Sequence, residues 1–285
     1  MAIEERRFRF EGADGTSIAG YRWSAAGVAP RAILQVAHGM AEHALRYPEP
    51  LEPLMAQGWV IYADDHRGHG ATAPSAAALG DFGTDGAEAV VDDLFRLTGL
   101  ARAEHPGLPL ILLGHSLGSF FAQAYVFDHG EAIDGLVLSG TAAFGDRSAT
   151  PRPGGPNAAI PNPRTDYDWL SRDEAEVDAY IADPLCGFAR QASAAESFAR
   201  VSRRLTDPAE IARIPRRLPI YVFVGDKDPI NRELELLHPL VDRYRAAGLD
   251  RLTVKIYPGG RHEMLNETNR GEVVADLLDW LESVV

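Results

Sequence analysis

Leu110-Ile111-Leu112-Leu113-Gly114-His115-Ser116-Leu117-Gly118 is the stretch whose reading decides the fold. Four apolar residues run into a G-x-S-x-G turn, and an apolar helix follows from Leu117 to about His129. A serine on so sharp a strand-to-helix turn is lifted clear of the sheet edge. Glycines flank it because a Cβ at either place would collide with neighbouring backbone. The pattern predicts a buried strand that presents Ser116 at its C-terminal end.

Outward from this point the chain alternates. Ile33 to Ala37 and Trp59 to Ala63 read as short apolar strands separated by a helical stretch from Tyr47 to Gln57, and a helix from Glu88 to Glu104 leads into Leu110. Gly135 to Leu138 is the next strand. Such alternation writes a parallel sheet with helices on both faces. Upstream, Arg6 to Phe10 and Ser17 to Trp23 flank the turn residues Gly12, Asp14 and Gly15, which predicts an antiparallel N-terminal pair.

The beat stops between Gly140 and about Leu218. The segment begins with Pro151, Pro153, Pro156, Pro161 and Pro163, then reads as helical. One helix is expected over Asp168 to Ile181. A second is expected around Phe188, Ala195, Phe198, Val201 and Leu205, which share helical spacing. Asp207, Pro208 and Glu210 supply an N-cap, a first-turn proline and a capping-box acid for a short third. Strands at Ile220 to Val224 and Leu252 to Tyr257, with helices from Glu233 to Ala246 and around Val273 to Leu281, resume the alternation. The expected organisation is a core of residues 1–140 and 218–285 interrupted by a helical cap at 141–217.

The 285 residues carry 28 basic against 41 acidic side chains, a formal charge of −13 that repels nucleic-acid phosphates. Cys186 is the single cysteine, which excludes an intramolecular disulfide and a thiolate cluster. Met1 to Phe10 lacks the apolar core of a secretory signal, and no run approaches the roughly 20 apolar residues of a membrane span. A cytoplasmic location is expected, with neither cofactor nor metal. His66 and His69 form an H-x-x-H in a glycine loop without a carboxylate set to complete a metal site.

A serine hydroxyl needs a base to take its proton. His262, in Gly259-Gly260-Arg261-His262 after the last strand, is placed to swing over the sheet edge. His38 and His115 are expected to orient backbone instead. An acid must fix the imidazole tautomer, and the strand ending in Gly225-Asp226-Lys227-Asp228 offers two, Asp228 being preferred and Asp226 the alternative. Gly135 to Leu138 ends in Ser139-Gly140-Thr141, which offers none. Backbone N–H groups of Leu117 and of Met40, in the turn His38-Gly39-Met40, are the expected oxyanion donors. Tyr167, Trp169, Phe188 and Phe198 are candidates to line a substrate pocket. Activity is expected to fall on acidification near about pH 6.5.

With these residues in place the chain resembles the monoacylglycerol lipase and lysophospholipase branch of the α/β hydrolases. His38-Gly39-Met40-Ala41-Glu42-His43 with Arg46-Tyr47 carries the resemblance, together with Asp64-Asp65-His66-Arg67-Gly68-His69-Gly70 and the Gly114 to Gly118 turn. Gly225-x-x-Asp228 and Gly260-x-His262 complete it. The resemblance implies an α/β-hydrolase fold and cofactor-free hydrolysis of small single-acyl esters under a helical cap. It favours Asp228 over Asp226, and it implies that Glu42 and Arg67 brace the oxyanion loop. An amidase or peptidase would use the same three residues. Dehalogenases and epoxide hydrolases place an aspartate where Ser116 stands. Membrane-docking relatives carry apolar lids, whereas Arg152, Arg164, Asp166, Asp168, Arg172, Asp173 and Glu174 stand here, which speaks against lipid docking.

Overall fold

The computed structural model describes residues 1–145 and 155–285. Pro151, Arg152 and Pro153 lie outside them. Eight strands form one sheet: β1 (Ile3–Glu11), β2 (Ser17–Ala25), β3 (Ala32–Ala37), β4 (Trp59–Asp64), β5 (Leu110–His115), β6 (Gly135–Ser139), β7 (Ile220–Gly225) and β8 (Leu252–Tyr257). Their order is β1-β2-β4-β3-β5-β6-β7-β8. β1 pairs antiparallel with β2 and β2 with β4, and every other pairing is parallel. The mostly parallel sheet with its antiparallel N-terminal pair is therefore as expected.

The helices are α1 (Glu52–Ala56), α2 (Gly86–Glu104), α3 (Leu117–His129), α4 (Glu174–Ala182), α5 (Ala192–Arg204), α6 (Pro208–Ile211), α7 (Leu237–Ala246) and α8 (Arg270–Glu282). Every residue of β3, β4, β5, β6 and β7 is buried. Successive side chains alternate faces, so Ile33, Val60 and Leu112 join the core under α2, α3 and α7, while Leu34, Ile61 and Leu113 join the one under α1 and α8. A sheet covered on both faces explains why its strands read as continuous apolar runs.

Four helix limits need correction. Tyr47 to Gln57 does not form one helix. Pro48, Pro50 and Pro53 remove backbone donors there, and α1 spans five residues. The helix expected from Asp168 begins only at Glu174, because the Asp168 carboxylate accepts from the Arg164 N–H and the Thr165 hydroxyl, each at 2.5 Å, and closes a turn. Phe188 precedes α5 rather than lying on it. Residues from Glu233 are not yet helical, since Arg232, Glu233 and Leu234 have φ of 53°, 48° and 78°, left-handed backbone that no right-handed helix contains.

Between β6 and β7 the described residues form helices and turns without a strand. Asp207 caps α6 by accepting the Ala209 N–H at 2.8 Å, as its sequence predicts. Glu210 does not close a capping box. It pairs with Arg204 at 3.0 Å and Arg213 at 2.8 Å. Among the described residues, no helix is long and apolar enough to cross a membrane.

Candidate active site

The turn after β5 carries the strain that its sequence implies. Ser116 has φ 50° and ψ −118°, left-handed backbone for a residue with a side chain, and its N–H is held by the Ser139 carbonyl at 2.9 Å. A Cβ on Gly114 would meet the Gly118 carbonyl and Ser119 Cα, and one on Gly118 would collide with the Ala37 carbonyl. Both glycines are therefore required by backbone approach. Leu117 is the first residue of α3, so its N–H has no intrahelical acceptor and points out of the helix N-terminus.

β7 and the loop after β8 bring the other two groups together. His262 Nδ1–H donates to Asp228 Oδ2 at 3.0 Å, and both residues are buried. Asp228 Oδ1 accepts the Ile230 N–H at 2.8 Å, which orients the carboxylate. Asp226 points elsewhere, accepting the Gly259 N–H at 2.7 Å. Burial acts to lower the His262 pKa, but the Asp228 charge and hydrogen bond outweigh it and leave it above 6.5. With Nδ1 committed to the carboxylate, Nε2 is the nitrogen left to exchange a proton.

Ser116 and His262 share a cleft of about 420 Å³, whose walls include Met40, Tyr167, Trp169 and Phe188. Trp169 packs on His262 with ring centroids 5.0 Å apart. Phe198 does not line the cleft. It is buried against Phe120, Phe121 and Phe144, tying α5 to α3. Ile230, Leu170 and Tyr180 are cleft residues that the sequence did not single out, because they come from three separate segments.

Glu42 braces the Gly39 turn, its Oε1 accepting the Gly39 N–H at 2.5 Å. Arg67 does not take part. It is buried between Asp93, at 2.6 Å, and Asp14, at 2.6 Å, joining α2 to the β1–β2 hairpin. His38 orients backbone, as its position predicts: its Nε2 accepts the His66 N–H at 3.0 Å, and its Nδ1–H donates to the Gly39 carbonyl at 2.8 Å. Burial holds the His38 pKa well below 6.5, so the ring is neutral. His66 contacts Asp64 through Nδ1 and the His38 carbonyl through Nε2. Both its nitrogens are engaged with protein.

His115 contacts Ser139 Oγ at 3.3 Å and lies 4.8 Å, ring to ring, from His262, with burial pushing its pKa down to about 4. Gly140 is the residue missed by reading strand ends for carboxylates alone. Its φ is +55°, and a Cβ there would lie 2.8 Å from His262 Cε1 and 3.0 Å from His115 Cε1. The bare end of β6 is what leaves room for the imidazole. Elsewhere, His43, Asp183 and Cys186 bring donor atoms within 4.8 Å of one another, His43 Nε2 lying 2.8 Å from Asp183 Oδ2.

A strained serine after the fifth strand, in one cleft with a histidine oriented by an aspartate that follows the seventh, on a sheet of this order, is the arrangement of an α/β hydrolase. The chain belongs to the serine aminopeptidase S33 family, whose model matches residues 28–269. It is 32% identical over 267 residues to a monoacylglycerol lipase of Mycolicibacterium smegmatis, covering 89% of each chain. It is also 32% identical over 181 residues to the human monoglyceride lipase, covering 61% of this chain and 58% of that protein. A thermostable carboxyl esterase from Bacillus coagulans, solved with glycerol, superposes with a TM-score of 0.88 at 26% identity, covering 100% of this chain and 99% of that one. The chain is a carboxylic ester hydrolase similar to monoacylglycerol lipases.

Proposed function

We propose that Ser116, His262 and Asp228 form a catalytic triad that hydrolyses monoacylglycerols or similar small acyl esters through an acyl-enzyme. The observation that carries this reading is one cleft holding the strained Ser116 beside His262, whose Nδ1 is committed to buried Asp228. His262 Nε2 takes the Ser116 proton as Oγ attacks the ester carbonyl. The tetrahedral oxyanion accepts from the Leu117 and Met40 N–H groups. Collapse expels the alcohol, which takes the proton from His262, and water repeats the sequence on the acyl-serine. No step asks for a cofactor.

The described residues between β6 and β7, with helices α4, α5 and α6, act as the cap. Tyr167, Trp169 and Phe188 give the cleft apolar surface for an acyl chain, while Asp166 supplies a polar group for an alcohol. The M. smegmatis relative supports glycerol esters over amides. Lysophospholipid and amide hydrolysis are the alternatives.

The test is labelling of wild type and Ser116→Ala with a fluorophosphonate, followed by assays on 1-monoacylglycerols, lysophosphatidylcholine, p-nitrophenyl esters and anilides. Loss of labelling and activity in Ser116→Ala, with monoacylglycerol preferred, is expected. Labelling that persists in the alanine variant refutes the nucleophile, and anilide preference moves the protein to the amidases.

A further inference from the structure

We infer that Arg46 is a positioning residue that locks the oxyanion turn to the loop carrying His262, and that the cap is seated on this lock through Tyr180. Arg46 touches neither Ser116 nor His262 in any hydrogen bond of the structure. It acts through two carboxylates. This inference rests on the triad reading given above.

Arg46 Nη1 donates to Glu42 Oε2 at 2.7 Å, and its two terminal nitrogens form a fork on Glu263, Nη1 to Oε1 at 2.8 Å and Nη2 to Oε2 at 2.7 Å. Glu42 in turn accepts the Gly39 N–H and the Tyr47 hydroxyl on Oε1, so its place sets the turn that carries the Met40 N–H. Glu263 directly follows His262 and is anchored by its own N–H on the Leu170 carbonyl at 2.7 Å. One guanidinium thus fixes the spacing between the oxyanion donors and the base, on loops 217 residues apart in sequence.

The side chains of Arg46, Glu42 and Glu263 are 13%, 4% and 7% exposed. A buried charge held by a planar fork tolerates little displacement, because shifting either carboxylate leaves an unpaired charge out of water. Burial opposes ionisation of Glu263, yet the paired Arg46 guanidinium holds its carboxyl below the usual carboxylate range. The cap closes over the same group. The Tyr180 ring lies 5.0 Å from the Arg46 guanidinium carbon, and the Tyr180 hydroxyl donates to the Ala41 carbonyl at 2.9 Å. The Gly187 N–H donates to that carbonyl at 3.0 Å. Ala41 has φ 57°, a conformation that alanine does not hold unaided, and two donors from the cap keep it there.

Arg46 also balances the charge seen by His262. The groups facing that ring are Asp228 after β7, His115 on β5, Glu42 after β3 and Glu263 on its own loop, with Trp169 from the cap on its face and Asp166 and Tyr167 along the same cleft. Glu42 and Glu263 each favour the protonated imidazole, and Arg46 is the cation paired to both.

The experiment compares Arg46→Lys, Arg46→Met and the double variant Arg46→Met, Glu263→Gln with wild type. It uses p-nitrophenyl butyrate kinetics across pH, fluorophosphonate labelling rates and thermal melts. For Arg46→Met, kcat should fall about 100-fold, KM should stay near wild type, and the acid limb of kcat/KM should move to higher pH. The double variant should move that limb back. Arg46→Lys, which keeps the charge and loses the fork, should lower kcat with the limb unmoved; it carries the test if Arg46→Met does not fold. Unchanged kcat in Arg46→Lys, or a fall in Arg46→Met that tracks lost folded protein with no movement of the acid limb, overturns the inference. Absence of Ser116 labelling in wild type would instead overturn the triad reading itself.

Discussion

Gly140→Ala adds one methyl group beneath the proposed catalytic base. Its Cβ would sit 2.8 Å from His262 Cε1, about 0.7 Å inside the ordinary carbon contact of roughly 3.5 Å. The backbone cannot absorb the overlap cheaply, because φ at this position is +55° and a left-handed alanine already costs roughly 1–2 kcal/mol. His115 blocks retreat on one side, with its Cε1 at 3.0 Å from the new atom. The imidazole must therefore rotate against its 3.0 Å bond to Asp228, which displaces Nε2 relative to Ser116 by several tenths of an ångström. Misplacement of a general base on this scale lowers kcat about 100-fold, equivalent to about 2.7 kcal/mol of barrier. The cleft walls formed by Tyr167, Trp169 and Phe188 are untouched, so KM should hold. Steady-state hydrolysis of p-nitrophenyl butyrate, with a urea melt to report the folded fraction, measures both quantities. A fully folded Gly140→Ala enzyme with wild-type kcat refutes the claim that the end of β6 sets the imidazole's place.

Asp228→Asn should lower kcat by about 10⁴-fold by presenting the wrong tautomer of His262, whereas Asp226→Asn should leave kcat close to wild type; equal effects would reopen the choice of acid. The pH profile of kcat/KM should have its acid limb above 6.5, because Asp228 raises the folded-state pKa of His262 and only the neutral ring accepts the Ser116 proton. A midpoint at or below 6.5 contradicts the charge balance described for the site. Phe198→Ala should cost about 3–5 kcal/mol of stability by opening a core cavity between α3 and α5, and Phe188→Ala should chiefly raise KM for longer acyl chains. Chemical denaturation and a chain-length series separate the two, and reversed effects would exchange their roles. Arg67→Met, which strands Asp93 in the core, should destabilise the fold by about 3–5 kcal/mol with kcat per folded enzyme unchanged; a selective loss of kcat would give Arg67 the bracing role that the structure gives to Glu42.

Ser116, the strands around it and the histidine after β8 were legible from local pattern. A G-x-S-x-G turn between an apolar strand and an apolar helix is a short-range signal, and strands buried on both faces declare themselves as unbroken apolar runs. The family resemblance, through its G-x-x-D, favoured Asp228, and the 3.0 Å contact of Asp228 with His262 agrees. Helix limits near prolines and left-handed residues were not legible: Asp168 is drawn into a turn by Arg164 and Thr165, and Arg232 to Leu234 take left-handed backbone that an apolar periodicity does not register.

The rest was decided by tertiary structure. A reading of Arg46 as one residue of a motif cannot show its fork on Glu263, since the two meet only when the sheet brings the ends of β3 and β8 to one edge. Phe188 and Phe198 look alike in sequence, yet one lines the cleft and the other fills the core, because a period of 3.6 marks a buried stripe without saying what buries it. Gly140 shows the same limit: its meaning lies in the His262 ring above it, 122 residues later, and only the fold places that ring there. Local sequence sets which backbone turns are possible. Long-range packing and charge pairing select what each turn is for.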